Sequence, residues 1–238
     1  MVTTAILERV FYIKYGDNIG SCFTVEVGTS QYLVTARHVL ENEEDELLGA
    51  RERDFEFQLL IGESFQTIRG SLLCHETQLA DVAIIRLSED ISNRTEILYD
   101  TNQIIFGADA FFLGFPYGFV APDNGNINNG NAIPLIKKAT VSVVRRELEI
   151  ARIYLDGHNN KGFSGGPVIC PQRQGNRYLM KIIGVNTGYM PHEGEIEIEL
   201  FDDDGEPYVD RFEYLENSGI FMATHINETF EMINNFAQ

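Results

Sequence analysis

Gly162-Phe163-Ser164-Gly165-Gly166-Pro167 holds a serine inside a glycine frame, where a nucleophile and an oxyanion site can be built together. A serine hydroxyl attacks poorly unless a base takes its proton and fixed N–H donors meet the negative oxygen that develops. Glycines on either side permit backbone geometries that other residues resist, and they leave room for a substrate carbonyl. Taken alone, the same string also reads as a tight turn between strands. The rest of the chain decides between the two.

Two companions lie upstream, in the order His, Asp, Ser. Tyr32-Leu33-Val34-Thr35-Ala36-Arg37-His38-Val39 is an apolar strand ending in a histidine, and Leu79-Ala80-Asp81-Val82-Ala83-Ile84-Ile85-Arg86-Leu87 sets an aspartate just before an apolar strand. Singly, His38 reads as a core histidine, Asp81 as a strand terminator and Ser164 as a turn residue. In this order and these local frames they read as base, orienting acid and nucleophile. The Thr35-Ala36-Arg37-His38, Asp81–Leu87 and Gly162–Pro167 segments resemble the three signature blocks of trypsin-like serine peptidases. Phe112-Leu113-Gly114-Phe115-Pro116-Tyr117-Gly118 resembles the Gly-x-Pro-x-Gly block of the HtrA-type bacterial branch. Ile183-Gly184-Val185-Asn186-Thr187-Gly188 resembles the strand that flanks the specificity pocket. The resemblance runs from about Gly20 to the C-terminal segment.

That resemblance implies a serine endopeptidase acting through His38, Asp81 and Ser164, with the N–H groups of Gly162 and Ser164 as the oxyanion hole. Its substrate is a polypeptide and it calls for no cofactor. The pocket base falls on His158, six residues before the serine, and the wall on Asn186, Thr187 and Gly188. No aspartate stands at that base, so a preference for Lys or Arg is not implied. Phe163 departs from digestive trypsins, which carry an aspartate there to capture a liberated N-terminus. Activity without proteolytic activation is the expectation, and the start of the chain shows no activation peptide. A catalytically silent relative serving as a peptide-binding scaffold, and an esterase, are the competing readings.

Short apolar runs separated by Gly, Asn and Asp turns recur at Phe23–Val27, Phe55–Ile61, Val82–Leu87, Ala110–Leu113, Lys138–Val144, Ala151–Leu155, Val168–Cys170 and Leu179–Val185. This reads as all-β with repeated hairpins. It agrees with the two packed six-stranded antiparallel β-barrels of the resembled family and the cleft between them. The whole chain is expected to be a single peptidase domain. The first barrel takes residues 1–97, the second 98–218, and the boundary falls between Asp90 and Gln103. Phe221, Met222, Ile226, Phe230, Ile233 and Phe236 recur at helical spacing, so a closing helix is expected over 219–238. No PDZ-like second domain is expected after it.

The formal charge of −18 argues against nucleic-acid binding and against an anionic membrane surface. Eleven carboxylates lie between Glu193 and Glu216. Glu195-Ile196-Glu197-Ile198-Glu199-Leu200 alternates like a half-exposed strand, with Asp202-Asp203-Asp204-Gly205 as its turn, so an acidic hairpin insertion is expected over 191–216. It reads as solvated surface, or as a surface recruiting a basic polypeptide or a protein regulator. A calcium loop is the weaker alternative, because EF-hand spacing is absent. Glu41–Glu46 reads as a solvated loop, and Pro122–Asn131 as a polar loop without assignable chemistry. No C-x-x-C or H-E-x-x-H pattern supports a metal site. The first residues lack the pattern of a secretory signal, and no run has the length of a transmembrane helix. With three cysteines and Val39 where secreted trypsins carry one, a reducing cytoplasm is the expected location.

Overall fold

The computed structural model describes residues 2–41, 51–94, 98–99, 104–124, 127–174, 177–201 and 206–236. Most of the Glu41–Glu46 loop, the Asp202–Gly205 turn, and parts of the Pro122–Asn131 loop and the Asp90–Gln103 boundary lie outside them. After the single helical turn α1 (Thr4–Leu7), six strands follow: β1 (Val10–Tyr15), β2 (Asn18–Val27), β3 (Ser30–Ala36), β4 (Arg53–Ile61), β5 (Ser64–Cys74) and β6 (Val82–Leu87). They pair in the order β1-β2-β3-β6-β5-β4, and β1 joins β4 to close an antiparallel barrel.

The second half contributes β7 (Leu98–Tyr99), β8 (Asp109–Gly114), β9 (Leu135–Glu147), β10 (Ile150–Asp156), β11 (Pro167–Gln174), β12 (Arg177–Phe201) and β13 (Pro207–His225), then α2 (Ile226–Phe236). The order β11-β8-β9-β10-β13-β12 returns to β11 through the β11–β12 pairing, while β7 adds to β12 in parallel. The architecture is all-β and chymotrypsin-like, with two six-stranded antiparallel sheets and a C-terminal helix.

Three packed layers explain the apolar runs. Ala83, Ile85 and Leu87 of β6 point into the first barrel with Phe11, Leu33 and Phe57. Val82 and Ile84 point the other way, into a layer between the barrels shared with Phe23, Val34, Leu113, Phe115, Ile169 and Val185. A strand buried on both faces reads as a continuous apolar run rather than an alternation. The second barrel encloses Phe112, Val141, Ile153, Phe163, Ile183 and Phe221.

The closing helix corrects the sequence reading. It starts at Ile226, not Gly219, because Gly219–His225 belongs to β13. Phe221 and Ala223 point into the second barrel, and the segment pairs with β10 on one side and β12 on the other. Two ladders of backbone hydrogen bonds override a helical spacing that two strand residues happen to satisfy. The helix proper buries Ile226, Met232 and Ile233 in the layer between the barrels. The acidic segment is a ribbon in which β12 and β13 stay paired from Pro191↔Asn217 to Phe201↔Pro207.

The helix start is tied down by Glu228, which is buried. Its carboxylate accepts the Ala151 N–H at 3.0 Å and faces His75 Nε2 at 3.6 Å. Burial pushes its pKa up, but His75, the Ala151 N–H and the charge of His225 together hold it below the ordinary carboxyl value. A carboxyl depressed in the fold contributes stability above its unfolded pKa and loses it as pH falls through the folded one. Glu228→Gln is therefore expected to lower the urea midpoint at neutral pH, with its difference from the unsubstituted chain shrinking as the pH is taken below 4. An unchanged difference across that range would overturn the ion-pair account.

Candidate functional site

β3 stays apolar to Ala36 and then tightens into a 3₁₀ turn, Arg37–Leu40, which carries His38 out of the barrel wall. Its side chain is about half exposed, at 47 %. Asp81 follows the 3₁₀ turn Gln78–Ala80 in a left-handed conformation (φ 49°, ψ 42°), which aspartate tolerates better than most residues. Both of its carboxylate oxygens go to His38. Oδ1 accepts the His38 backbone N–H at 3.0 Å, and Oδ2 lies 2.7 Å from ring Nδ1. An ionised carboxylate only accepts, so Nδ1 carries the proton and Nε2 is left as the basic nitrogen. Partial burial lowers the His38 pKa, but the hydrogen bond and charge of Asp81, with the charge of Glu41, outweigh it and leave the pKa above its ordinary 6.5.

The segment leading into Asp81 is gripped by the second barrel. Arg152 on β10 donates to the Leu79 carbonyl, and Thr224 Oγ1 on β13 donates to the Ala80 carbonyl at 2.5 Å. The first barrel reciprocates at the serine loop. The Ser21 N–H donates to the Ser164 carbonyl at 2.8 Å. Ser21 Oγ donates to the Gly162 carbonyl at 2.7 Å and accepts the Phe115 N–H at 2.9 Å. Gly165, at φ +84°, packs so tightly that a Cβ there would strike the Ser21 carbonyl, Thr35 Oγ1 and the Ala36 N–H. The serine loop thus abuts the end of β3, immediately before the turn that carries His38.

The loop's peptide planes are held one by one. The Lys161 carbonyl accepts the Tyr117 N–H at 2.8 Å, and the Phe163 carbonyl accepts the Gly166 N–H at 2.9 Å. In a trans peptide the N–H points opposite to the C=O, so these bonds turn the Gly162 and Ser164 N–H groups away, toward the open side of the loop. Among the described residues neither N–H has a protein acceptor, whereas the N–H groups of Phe163, Gly165 and Gly166 all do. Gly162 sits at φ +103°, where a Cβ would collide with the Phe115 carbonyl. Phe163 is fully buried in the second barrel, edge-on to Phe112 with ring centroids 4.8 Å apart.

Asn186 joins the same cluster. It exchanges two backbone bonds with the loop, its carbonyl accepting the Gly165 N–H at 2.7 Å and its N–H donating to Gly166 at 2.9 Å. Thr187 is held by its hydroxyl on the Met222 carbonyl, at a register shift of β12 that ends at Gly188. His158 stands apart: it is exposed, and its carbonyl takes Lys137 Nζ. The neighbouring Asn159 is buried instead and exchanges two amide bonds with Asn186, at 3.0 and 3.1 Å. Sequence reading passed over Ser21, Asn159, Arg152 and Thr224. Ser21 sits directly beside Gly20, where the resemblance begins, but only its partners 141 positions away reveal its use.

The model of the trypsin-like peptidase domain matches residues 20–176, more than half of the chain. The chain belongs to the trypsin-like peptidase family. Among solved structures it is similar to the HtrA-type protease AlgW with a bound tripeptide, at 17 % identity and a TM-score of 0.58, with 97 % of this chain and 60 % of that one covered. It is also similar to a serine-to-alanine mutant of Rv3671c from M. tuberculosis H37Rv in its inactive form, at 14 % identity and a TM-score of 0.55, with 97 % and 87 % covered. The chain spans about three fifths of the length of the HtrA-type structure. No curated protein matches it in sequence.

Ser21→Ala would leave the buried Gly162 carbonyl and Phe115 N–H unpaired in this trypsin-like domain. Chemical denaturation should register a loss of about 1–3 kcal/mol. A variant as stable as the parent would show that the bridge carries no weight.

Proposed function

We propose that the protein is a serine endopeptidase in which Ser164 is the nucleophile, His38 the base and Asp81 the group that orients it. The observation that carries the reading is the double hold of Asp81 on His38 beside a loop whose Gly162 and Ser164 N–H groups stand without protein acceptors. In this reading Ser164 Oγ attacks the carbonyl carbon of a peptide bond while His38 Nε2 takes its proton. The oxyanion sits on the two N–H groups, which reach full strength only as charge develops. Collapse breaks the C–N bond, His38 passes its proton to the leaving amine, and an acyl-enzyme remains. Water, deprotonated by His38, then attacks the ester and restores Ser164. Asp81 stays ionised throughout.

Substrate backbone would run beside Asn186, Thr187 and Gly188. The buried Asn159–Asn186 amide pair, rather than His158, supports a polar floor to the neighbouring pocket. The chain's three cysteines are buried and form no disulfide, and burial pushes the Cys74 thiol up to about 11, which keeps it protonated. These features support Ser164 over any thiol as nucleophile, and a reducing compartment as the location.

Ser164→Ala and His38→Ala should each abolish peptide hydrolysis and fluorophosphonate labelling with the fold intact. Asp81→Asn should cost on the order of 10⁴-fold in kcat. Because the base must be neutral, the rate should fall as pH drops through a His38 pKa above 6.5, and Asp81→Asn should move that midpoint down. Normal turnover by Ser164→Ala, or a flat profile through pH 5–8 with chemistry rate-limiting, would overturn the assignment.

Phe163 supports activity without N-terminal processing. It is anchored by burial rather than by an ion pair, and the Tyr117–Lys161 bond already turns the Gly162 N–H outward. Intact-mass spectrometry should find the fluorophosphonate adduct on the untrimmed chain. Adduct only on shortened chains would show that the loop needs a liberated terminus after all.

A further inference from the structure

The register of the acidic ribbon sorts its side chains onto two unlike faces. Directly opposed residues of an antiparallel pair point the same way, and the sides alternate along each strand. From Pro191↔Asn217 to Phe201↔Pro207 the register runs without a shift. One face therefore carries Glu193, Glu195, Glu197, Glu199 and Glu213, with Arg211 bonded to Glu197 at 3.0 Å, and Leu215, Val209 and Phe201 stand exposed among them. The other carries Tyr214, Ile196, Phe212, Ile198, Leu200 and Tyr208 as one run, with Gly194 and Asp210 within it and His192 and Glu216 at the end nearest Pro191. Ile196, Phe212 and Tyr208 are each 48 % exposed, Tyr214 42 % and Ile198 41 %.

A two-stranded ribbon standing off a barrel is marginal in water unless an apolar face is covered. Side chains of this size, exposed to this extent, leave on the order of 400 Å² of contiguous apolar surface, the size of a patch that on soluble proteins is often functional. We propose that a second copy of this chain covers it, the two ribbons stacking face to face and antiparallel about a two-fold axis at the Ile196–Phe212 pair.

Three observations favour this occupant. First, two chains of charge −18 repel, so they must meet on the face with fewer carboxylates, and here five glutamates point outward from the stack while only Asp210 and Glu216 lie on the face. A basic partner would find its complement on the opposite face. Second, the apolar face is complementary to itself. About that axis Ile196 meets Ile196 and Phe212 meets Phe212. The Gly194 row, where no side chain stands, receives Ile198 of the other copy. Third, the same rotation brings Tyr214 to the Asp210 row and Tyr208 to the Glu216 row, so each carboxylate on the face meets a phenol donor. A parallel stack would instead set Asp210 against Ile198, burying a carboxylate without a partner. Two such faces together cover about 800 Å², the size of a weak, concentration-dependent contact.

Sedimentation of the full chain at micromolar concentration should give twice the 26.9 kDa chain mass, more completely as added salt screens the repulsion. Phe212→Glu should convert it to monomer with unchanged circular dichroism, while Glu195→Gln on the acidic face should leave the dimer intact. Ile196→Cys should cross-link to itself across the axis on mild oxidation with diamide, and Glu197→Cys should not. The parent's own cysteines are buried and do not compete. A parent that sediments as monomer overturns the proposal. So does a dimer that survives Phe212→Glu, or one in which Glu197→Cys cross-links and Ile196→Cys does not.

Discussion

Each barrel of this protein holds a loop of the other, and that reciprocal grip organises everything near the candidate site. Ser21 of the first barrel takes both the Gly162 and Ser164 carbonyls, while Arg152 and Thr224 of the second take the Leu79 and Ala80 carbonyls just before Asp81. Backbone carbonyls buried between two barrels need partners, and an unpaired one is expensive. The same bonds that satisfy them fix the backbone leading into Asp81, which holds His38, and the backbone of the serine loop. Sliding one barrel on the other would break these bonds together. The apolar layer of Phe23, Val34, Ile84, Leu113 and Val185 supplies the adhesion, and the polar bonds supply the register.

Within that frame the serine loop is built to present two N–H groups and hide everything else. Its carbonyls are all claimed, by Tyr117, Ser21, Gly166 and Ser21 again in chain order from Lys161 to Ser164. The glycines at 162 and 165 are required by contacts as well as by φ, since neither position has room for a Cβ. Phe163 adds an apolar anchor where digestive relatives use an ion pair. Burial of a ring against Phe112 does not depend on an N-terminal amine.

The ribbon formed by β12 and β13 is a different kind of element. It grows from the strand that carries Asn186 and Thr187, yet past Pro191 none of its side chains serves the barrel core. Its alternation gathers most carboxylates on one side, with Leu215, Val209 and Phe201 among them, and an apolar run on the other, with Asp210 and Glu216 among it.

Much of this was legible in the chain itself. Local frames around His38, Asp81 and Ser164 are short, and their chemistry is carried by residues adjacent in sequence. Alternating and continuous apolar runs mark strands because burial on one face or two leaves a direct trace in composition. The alternation of Glu195–Leu200 likewise announced a strand. What tertiary structure alone decided depends on partners far apart in sequence. Phe221 and Met222 satisfy a helical spacing, but pairing with β10 and β12 makes their segment a strand. Six residues before the serine is a count along the chain, and the turn there buries Asn159 against Asn186 while leaving His158 in solvent. Ser21 looks like any small polar residue until Gly162 and Phe115 arrive at its hydroxyl. A sequence records what each residue can do within a few positions. Which of those capacities is used is settled by long-range contacts, because only they determine which buried polar groups must find one another.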